Sequence, residues 1–300
     1  MPDRHGRYLV GLIGSGIGTS LSPALHEREA DALGLRYLYQ LIDIDDLGLG
    51  TDDVGSLVAE AQRMGFRGLN ITHPCKQAVV KHLDDLSLDA ATLGAVNTVV
   101  FDDGRAVGHN TDGLGFIEGF RRGLPDAPIR DVVILGVGGA GAAVAQAMLR
   151  RGVGRLTLID LDFDRAHRVR AALTTDAGRQ SCVIRAAGVD RLAECLLTAG
   201  GLINATPVGM TPHHGTPVPA ELLRAEMWVA EVIYRPMDTE LLQDARRRGC
   251  RTLPGGAMVA FQAAEAMRLF TGYEPDAERM YRHLCASVEA GGERRGAGDA

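Results

Sequence analysis

The segment that most narrows the possible folds is Asp131-Val132-Val133-Ile134-Leu135-Gly136-Val137-Gly138-Gly139-Ala140-Gly141, which runs on through the Ala-rich stretch 142–148. A short apolar strand passes through a glycine turn into a helix. Gly136 permits the tight turn. Gly138 and Gly139 let the backbone approach a pyrophosphate, and Gly141 or Ala142 lets the helix pack close to the sheet. A second strand pattern, Arg155 to Ile159, ends in Asp160. That acid lies about 20 residues beyond the glycines, where a group that binds a ribose hydroxyl belongs. Together they read as a dinucleotide-binding strand–helix–strand unit.

Strand and helix patterns alternate along most of the chain. Strands are expected at Tyr8–Ile13, Tyr37–Ile42, Gly68–Thr72 and Val96–Phe101, the last pairing with a short return through Ala106-Val107. Ser22 followed by Pro23 reads as a cap and the first helical residue, with Gly34 closing that helix. Further helices are expected near Val54–Met64 and over Asp112–Arg122. The Pro-bearing stretch Gly123 to Pro128 reads as an inter-domain link. Beyond it come strands at Val132–Leu135, Leu156–Ile159, Val183–Ala186, Leu202–Asn204 and Val229–Ile233, then a helix over Thr239–Arg248. Such alternation implies an α/β fold with a parallel sheet covered on both faces. Helices over Met258–Phe270 and Asp276–Ala290 have no strand to return to, so they are placed against the first domain. The expected division is 1–122 plus 256–290 for a first domain, 123–255 for a dinucleotide-binding domain, and a disordered tail at 291–300. Residues 1–7 are expected to fray as well.

Candidate chemistry sits at two strand ends. Of 32 basic residues only Lys76 and Lys81 are lysine. Lysine can be tuned to give and take a proton, whereas arginine stays charged. Lys76 lies in Gly68-Leu69-Asn70-Ile71-Thr72-His73-Pro74-Cys75-Lys76; taken alone it also fits a surface lysine at a helix start. Asp112, in Gly108-His109-Asn110-Thr111-Asp112-Gly113, could be a helix N-cap and nothing more. A Lys and an Asp at separate strand ends can nevertheless form a proton-transfer pair for an alcohol, and the dinucleotide unit supplies the hydride acceptor.

A net charge of −6 argues against a nucleic-acid partner. The five cysteines are scattered without a Cys-x-x-Cys pair, which fits reduced thiols in a cytoplasm. The nine histidines show no zinc-type spacing with them, so no metal is expected. No apolar run approaches membrane-spanning length, and the first residues lack a signal-peptide pattern.

Several ordered motifs carry a resemblance to a known family: Ser20-Leu21-Ser22-Pro23, Asn70 to Lys76, Gly94-Ala95-Val96-Asn97-Thr98, Asn110-Thr111-Asp112-Gly113, the glycine loop, Asn204-Ala205-Thr206-Pro207-Val208-Gly209-Met210, and Gln262-Ala263-Ala264. The chain resembles the shikimate/quinate dehydrogenases from Ile13 to about residue 285. The resemblance implies an N-terminal α/β substrate domain followed by a Rossmann-type, doubly wound NAD-binding domain. It implies Lys76 and Asp112 as the catalytic pair, with Ser20 and Ser22 on a substrate carboxylate. Thr72, Asn97, Asp112 and Gln262 would hold ring hydroxyls, and Tyr234 would lie near the carboxylate and the nicotinamide. Gly136, Val137, Gly138, Gly139, Ala140, Asn204, Thr206, Val232, Gly255 and Met258 would contact the cofactor. Taken singly, Ser22 also reads as a helix cap and Asn97 as a turn residue.

One departure bears on the cofactor. Relatives that use NADP usually carry Asn-Arg-Thr after the second strand of the cofactor domain, where this chain has Asp160-Leu161-Asp162. A carboxylate beside a 2′-phosphate is repulsive, so NAD is the expected cofactor. Arg165 either packs on the adenine or is a solvated helix residue. His73 and Cys75 also differ from many relatives. The pattern resembles the NAD-dependent quinate/shikimate branch, which includes enzymes for amino analogues, so the substrate is a cyclic polyol carboxylate: quinate, shikimate or an amino analogue. A homodimer is compatible with this reading. The rival readings are an NADP-dependent biosynthetic shikimate dehydrogenase, an aminoquinate/aminoshikimate dehydrogenase and a non-catalytic NAD-binding regulator.

Overall fold

The computed structural model describes residues 6–176 and 182–296. The chain divides into two compact units, Met1–Thr111 with Ala260–Ser287, and Asp112–Val259 with the chain from Val288. Of the segments expected to fray, 1–5 and 297–300 lie outside the described residues, while the backbone of 291–296 continues the final helix.

The first unit contains β1 (Arg7–Gly14), α1 (Ser22–Ala32), β2 (Arg36–Asp43), α2 (Val54–Arg63), β3 (Gly68–Ile71), α3 (Cys75–Ala78), β4 (Asp85–Leu86), α4 (Leu88–Leu93), β5 (Thr98–Asp102) and β6 (Arg105–His109). The sheet order is β2-β1-β3-β5-β6-β4. β1 runs parallel to β2 and β3, and β5 runs antiparallel to β3 and β6. The β5–β6 return is a two-residue turn, Asp103-Gly104, with φ of 45° and 80°. Positive φ at both positions matches the right-handed strand twist, and Asp-Gly suits such a turn. The strand pair expected from sequence is therefore present. Alternate residues of β1 serve two cores: Ile13 joins Leu69, Ile71 and Val99, whereas Val10 and Leu12 join Tyr39 and Val100.

The second unit contains α5 (Asp112–Gly123), β7 (Asp131–Leu135), α6 (Gly139–Arg150), β8 (Arg155–Ile159), α7 (Phe163–Asp176), β9 (Val183–Ala187), α8 (Leu192–Leu196), β10 (Gly201–Asn204), β11 (Trp228–Glu231), α9 (Glu240–Arg247) and β12 (Arg251–Leu253). Its six strands are all parallel in the order β12-β11-β10-β7-β8-β9. The order reverses between β7 and β10, the switch point of a doubly wound sheet. Val132 and Ile134 of β7 pack with α5 and α6, while Val133 and Leu135 pack with the α9 side. A strand buried on both faces explains the unbroken apolar run.

α10 (Gly256–Thr271) and α11 (Ala277–Gly296) follow. α10 starts in the second unit and ends in the first, where Ala266 and Phe270 pack on Val10 and Leu12. On α11, Arg279 forms two hydrogen bonds with the buried Glu29 of α1, at 2.6 and 2.7 Å. The division falls at 111/112 and 259/260 rather than at the 122/123 and 255/256 read from sequence. α5 groups with the second unit because Phe116 and Phe120 enter its core, with Phe120 edge-on to Trp228 at 4.8 Å.

Candidate active site

In the first unit, topology gathers the polar candidates along one sheet edge. β1, β3 and β6 point the same way and β5 points back, so the ends of β1, β3 and β6 share an edge with the start of β5. The end of β1 leads to Ser20 and Ser22, and that of β3 to Thr72 and Lys76. The end of β6 leads to Thr111, and Asn97 precedes β5.

A buried polar network ties these loops together. Asn97 is 3% exposed. Its side-chain amide donates to Thr111 Oγ1 at 3.0 Å, and its Oδ1 accepts the Thr111 N–H at 2.9 Å. Thr111 Oγ1 in turn reaches Gln262 Oε1 at 3.4 Å. Asn70 donates to Thr98 Oγ1 at 3.1 Å and accepts from the Tyr39 hydroxyl at 2.8 Å. Burial pushes the Tyr39 hydroxyl far above the ordinary phenol range. The Lys76 carbonyl accepts the Val96 N–H at 2.8 Å, fixing the lysine-bearing turn beside the Asn97 segment. Buried amides and hydroxyls joined this way hold their donors and acceptors in set directions.

One expectation changes here. Ser22 is not the cap of α1: the cap position is Leu21, which makes no side-chain cap bond, and Ser22 is the first helical residue. Its backbone N–H donates to Ser20 Oγ at 3.2 Å, so the two serines are coupled.

The second unit presents backbone rather than side chains. Gly136 has φ of 81°, and a Cβ there would lie 2.9 Å from the Ala205 carbonyl. Gly138 precedes α6 in extended conformation without a side-chain cap, and a Cβ added there would have no protein atom within 4 Å. An uncapped N-terminus on a 12-residue helix, fronted by open space, suits an anionic pyrophosphate. Asp160, 7% exposed, accepts the Val137 N–H at 2.8 Å and the Asp162 N–H at 2.9 Å. Arg165 lies 3.6 Å from both Asp160 and Asp162, and Arg168 lies 3.6 Å from Asp162. Arg165 is thus paired with acids. A cleft of about 960 Å³ opens alongside, lined at this end by Asp160, Leu161, Phe163 and Gly188. The glycine turn and the open start of α6 fit a dinucleotide cofactor.

Beneath this surface lies Glu231, 1% exposed. Both its oxygens accept from Asn204 Nδ2, at 3.2 and 3.0 Å, and Thr239 Oγ1 donates to it at 2.9 Å. Burial pushes its carboxyl up to about 7, against the pull of these bonds and the Ile233 and Val232 amides. Asn204 Oδ1 accepts from the Thr206 N–H and hydroxyl at 3.0 and 2.7 Å. The Val232 N–H donates to the Asn204 carbonyl at 3.0 Å, and the Gly255 N–H to Ile233 at 3.2 Å. Asn204, Thr206, Val232 and Gly255 thus belong to one bonded cluster, and the buried Met258 joins the core that holds Val132 and Ile134. Asp112 and Tyr234, expected among the substrate residues, fall in the second unit. Burial raises the Tyr234 hydroxyl above its usual value.

Sequence reasoning missed Asp43, Tyr39, Thr111 and Glu231. The available signal for Asp43 was an acid closing a strand in a chain with a Gly-rich Ser15-Gly16-Ile17-Gly18 loop. Among the described residues no group of three or more His, Cys, Asp or Glu side chains could hold a metal ion, and no helix is long and apolar enough to cross a membrane.

Comparison with known proteins follows the same lines. Residues 12–99 match the family model for the shikimate dehydrogenase substrate binding domain. A shikimate dehydrogenase (NADP(+)) of Streptomyces avermitilis is 60% identical over 91% of this chain and 93% of the relative. A quinate/shikimate dehydrogenase (NAD(+)) of Corynebacterium efficiens is 48% identical over 92% of this chain and 97% of the relative. The solved quinate dehydrogenase of Corynebacterium glutamicum in complex with NAD superposes with a TM-score of 0.88 at 42% identity, covering 93% of this chain and 99% of that one. With such identities over nearly its whole length, the chain belongs to the shikimate/quinate dehydrogenase family of nicotinamide-dinucleotide oxidoreductases.

Proposed function

We propose that this chain is an NAD-dependent quinate/shikimate dehydrogenase, which oxidises quinate to 3-dehydroquinate and shikimate to 3-dehydroshikimate, reversibly. The observation that carries the NAD preference is the acidic run after β8. In this reading Asp160 and Asp162 would face a 2′-phosphate, and Arg165 and Arg168 are paired with them. A dianion there would have to displace those pairs and approach two carboxylates. An NADP-using enzyme is the second reading, favoured by the 60% identity to a relative of that specificity. In that case Arg165 and Arg168 would turn from the acids to the phosphate.

In the proposed reaction Ser20 and Ser22 hold the substrate carboxylate, and Thr72, Asn97 and Gln262 hold ring hydroxyls. Lys76 takes the proton from the reacting hydroxyl while Asp112 orients that hydroxyl. The carbon–oxygen bond becomes a carbonyl as the carbon loses hydride. A bound oxidised nicotinamide supplies the hydride acceptor. Five free thiols suit a reducing compartment, so the reading extends to a cytoplasmic enzyme.

Replacement of Lys76 tests this. Lys76→Ala should cut turnover on the order of a hundredfold or more, while the substrate dissociation constant changes much less. Lys76→Arg should not restore the rate, because guanidinium does not release its proton near neutrality. Turnover and binding are to be measured separately; near-normal turnover in Lys76→Ala would remove the residue from the mechanism.

A further inference from the structure

The loop from Ser15 to Ser20 carries the first serine of the carboxylate site, yet it contains Gly16 and Gly18, both exposed. Its order comes from the end of β2. Asp43, 9% exposed, accepts the Ile17 N–H with Oδ2 at 2.7 Å, and with Oδ1 the N–H groups of Gly16 and Asp45, each at 3.1 Å. Desolvation alone would raise this carboxyl. The amides of Ile17, Asp45, Gly16 and Gly18 outweigh it and hold the group below the usual carboxylate range. Consecutive amides converging on one anion form a nest. Ile17 links the nest to the serines: its N–H goes to Asp43, its carbonyl accepts the Ser20 N–H at 2.8 Å, and Ser20 Oγ accepts the Ser22 N–H at 3.2 Å. Ser15 Oγ donates to Asp45 at 2.6 Å, a second tie from this loop to the end of β2.

We propose that Asp43 is a positioning residue for substrate recognition, locking the Ser15–Ser20 loop so that Ser20 and Ser22 meet the substrate carboxylate. This rests on the reading in which those serines bind that group. The amides that converge on Asp43 also quench its charge, which allows a second anion to approach the same loop. An amide side chain cannot substitute, because its NH2 would face backbone donors where an acceptor is required.

The test compares shikimate with its methyl ester in the full-length enzyme, with Asp43→Asn, Asp43→Glu, Ser20→Ala and Ser22→Ala. Asp43→Asn should raise KM for the acid about tenfold, leaving kcat within about threefold and KM for the ester within about twofold. Its dissociation constant for NAD should be unchanged. Asp43→Glu keeps the acceptors but moves them by one carbon, so its KM rise should be smaller. A merely structural Asp43 would move acid, ester and NAD together, and that result would overturn the proposal. If the serine variants erase the preference for acid over ester and Asp43→Asn keeps it, Asp43 alone loses its role. If the serine variants keep the preference, the serine reading and the Asp43 role both fall. Should Asp43→Asn not fold, Asp43→Glu carries the same comparison: an equal shift for acid and ester refutes the role, and an acid-only shift supports it.

Discussion

At the strand ends of the first sheet the candidate recognition groups are side chains: hydroxyls of Ser20, Ser22 and Thr72, the amide of Asn97 and the amine of Lys76, with the Gln262 amide added from α10. At the strand ends of the second sheet they are mostly backbone: the Gly136 turn, the open space at Gly138, the uncapped start of α6. Side chains in the second unit act one layer down. Asp160 braces the glycine loop through Val137, and Glu231 braces Asn204. A polyol carries several hydroxyls in fixed directions and needs a matching set of donors and acceptors, whereas a pyrophosphate needs little beyond amides and room. A side-chain site is therefore altered by changing chemistry, and a backbone site by filling space.

The sharpest way to break that comparison is Gly138→Asp. With φ of −66° and no protein atom near the new Cβ, the fold should tolerate it. The side chain would occupy the anion cradle and add negative charge to it. NAD affinity, followed by titration calorimetry, should fall about a hundredfold or more, roughly 2.7 kcal/mol, with the melting temperature little changed. Unchanged NAD affinity would mean that this backbone does not face the cofactor.

Next comes Glu231, the buried carboxylate bonded to Asn204 and Thr239. Its folded value of about 7 lies above the ordinary 4.5, so the folded protein binds the extra proton. The stability this contributes is fully present below the ordinary value and is lost as pH rises through about 7. Between about pH 5.5 and about pH 7.5 the loss amounts to about 2 kcal/mol. Denaturant melts across that range should show the wild-type slope, and Glu231→Gln should flatten it. Parallel slopes in the two proteins would show that Glu231 stays ionised throughout.

The smallest effect concerns Asp160→Ala. Loss of the carboxylate should weaken NAD, relieve repulsion of a 2′-phosphate and free Arg165. The ratio of catalytic efficiencies for NAD over NADP should drop by about tenfold, roughly 1.4 kcal/mol. A ratio that does not move would place cofactor choice elsewhere.

Much of this was legible in the chain. β7 and the glycine loop are local, with strand, turn and helix signals contiguous, and the Asp103-Gly104 turn fits a strand pair on either side. What escaped depends on register and packing. β4 and β12, of two and three residues, are too short to show a period. α5 follows the second unit because of where Phe116 and Phe120 pack, which helix periodicity does not state. Ser22 looked like a cap because Pro23 follows it, yet the helix starts one residue earlier. Asp43 and Glu231 each meet partners 27 residues away, a pairing created only when β2 lies beside β1 and β11 beside β10.

The most direct test of the proposed activity is a steady-state comparison of the unmutated enzyme on quinate and shikimate, each with NAD and with NADP. Oxidation of a cyclic polyol acid is expected with catalytic efficiency at least about tenfold higher for NAD, roughly 1.4 kcal/mol. Equal efficiency, or a preference for NADP, would contradict it and assign Arg165 and Arg168 to the 2′-phosphate instead.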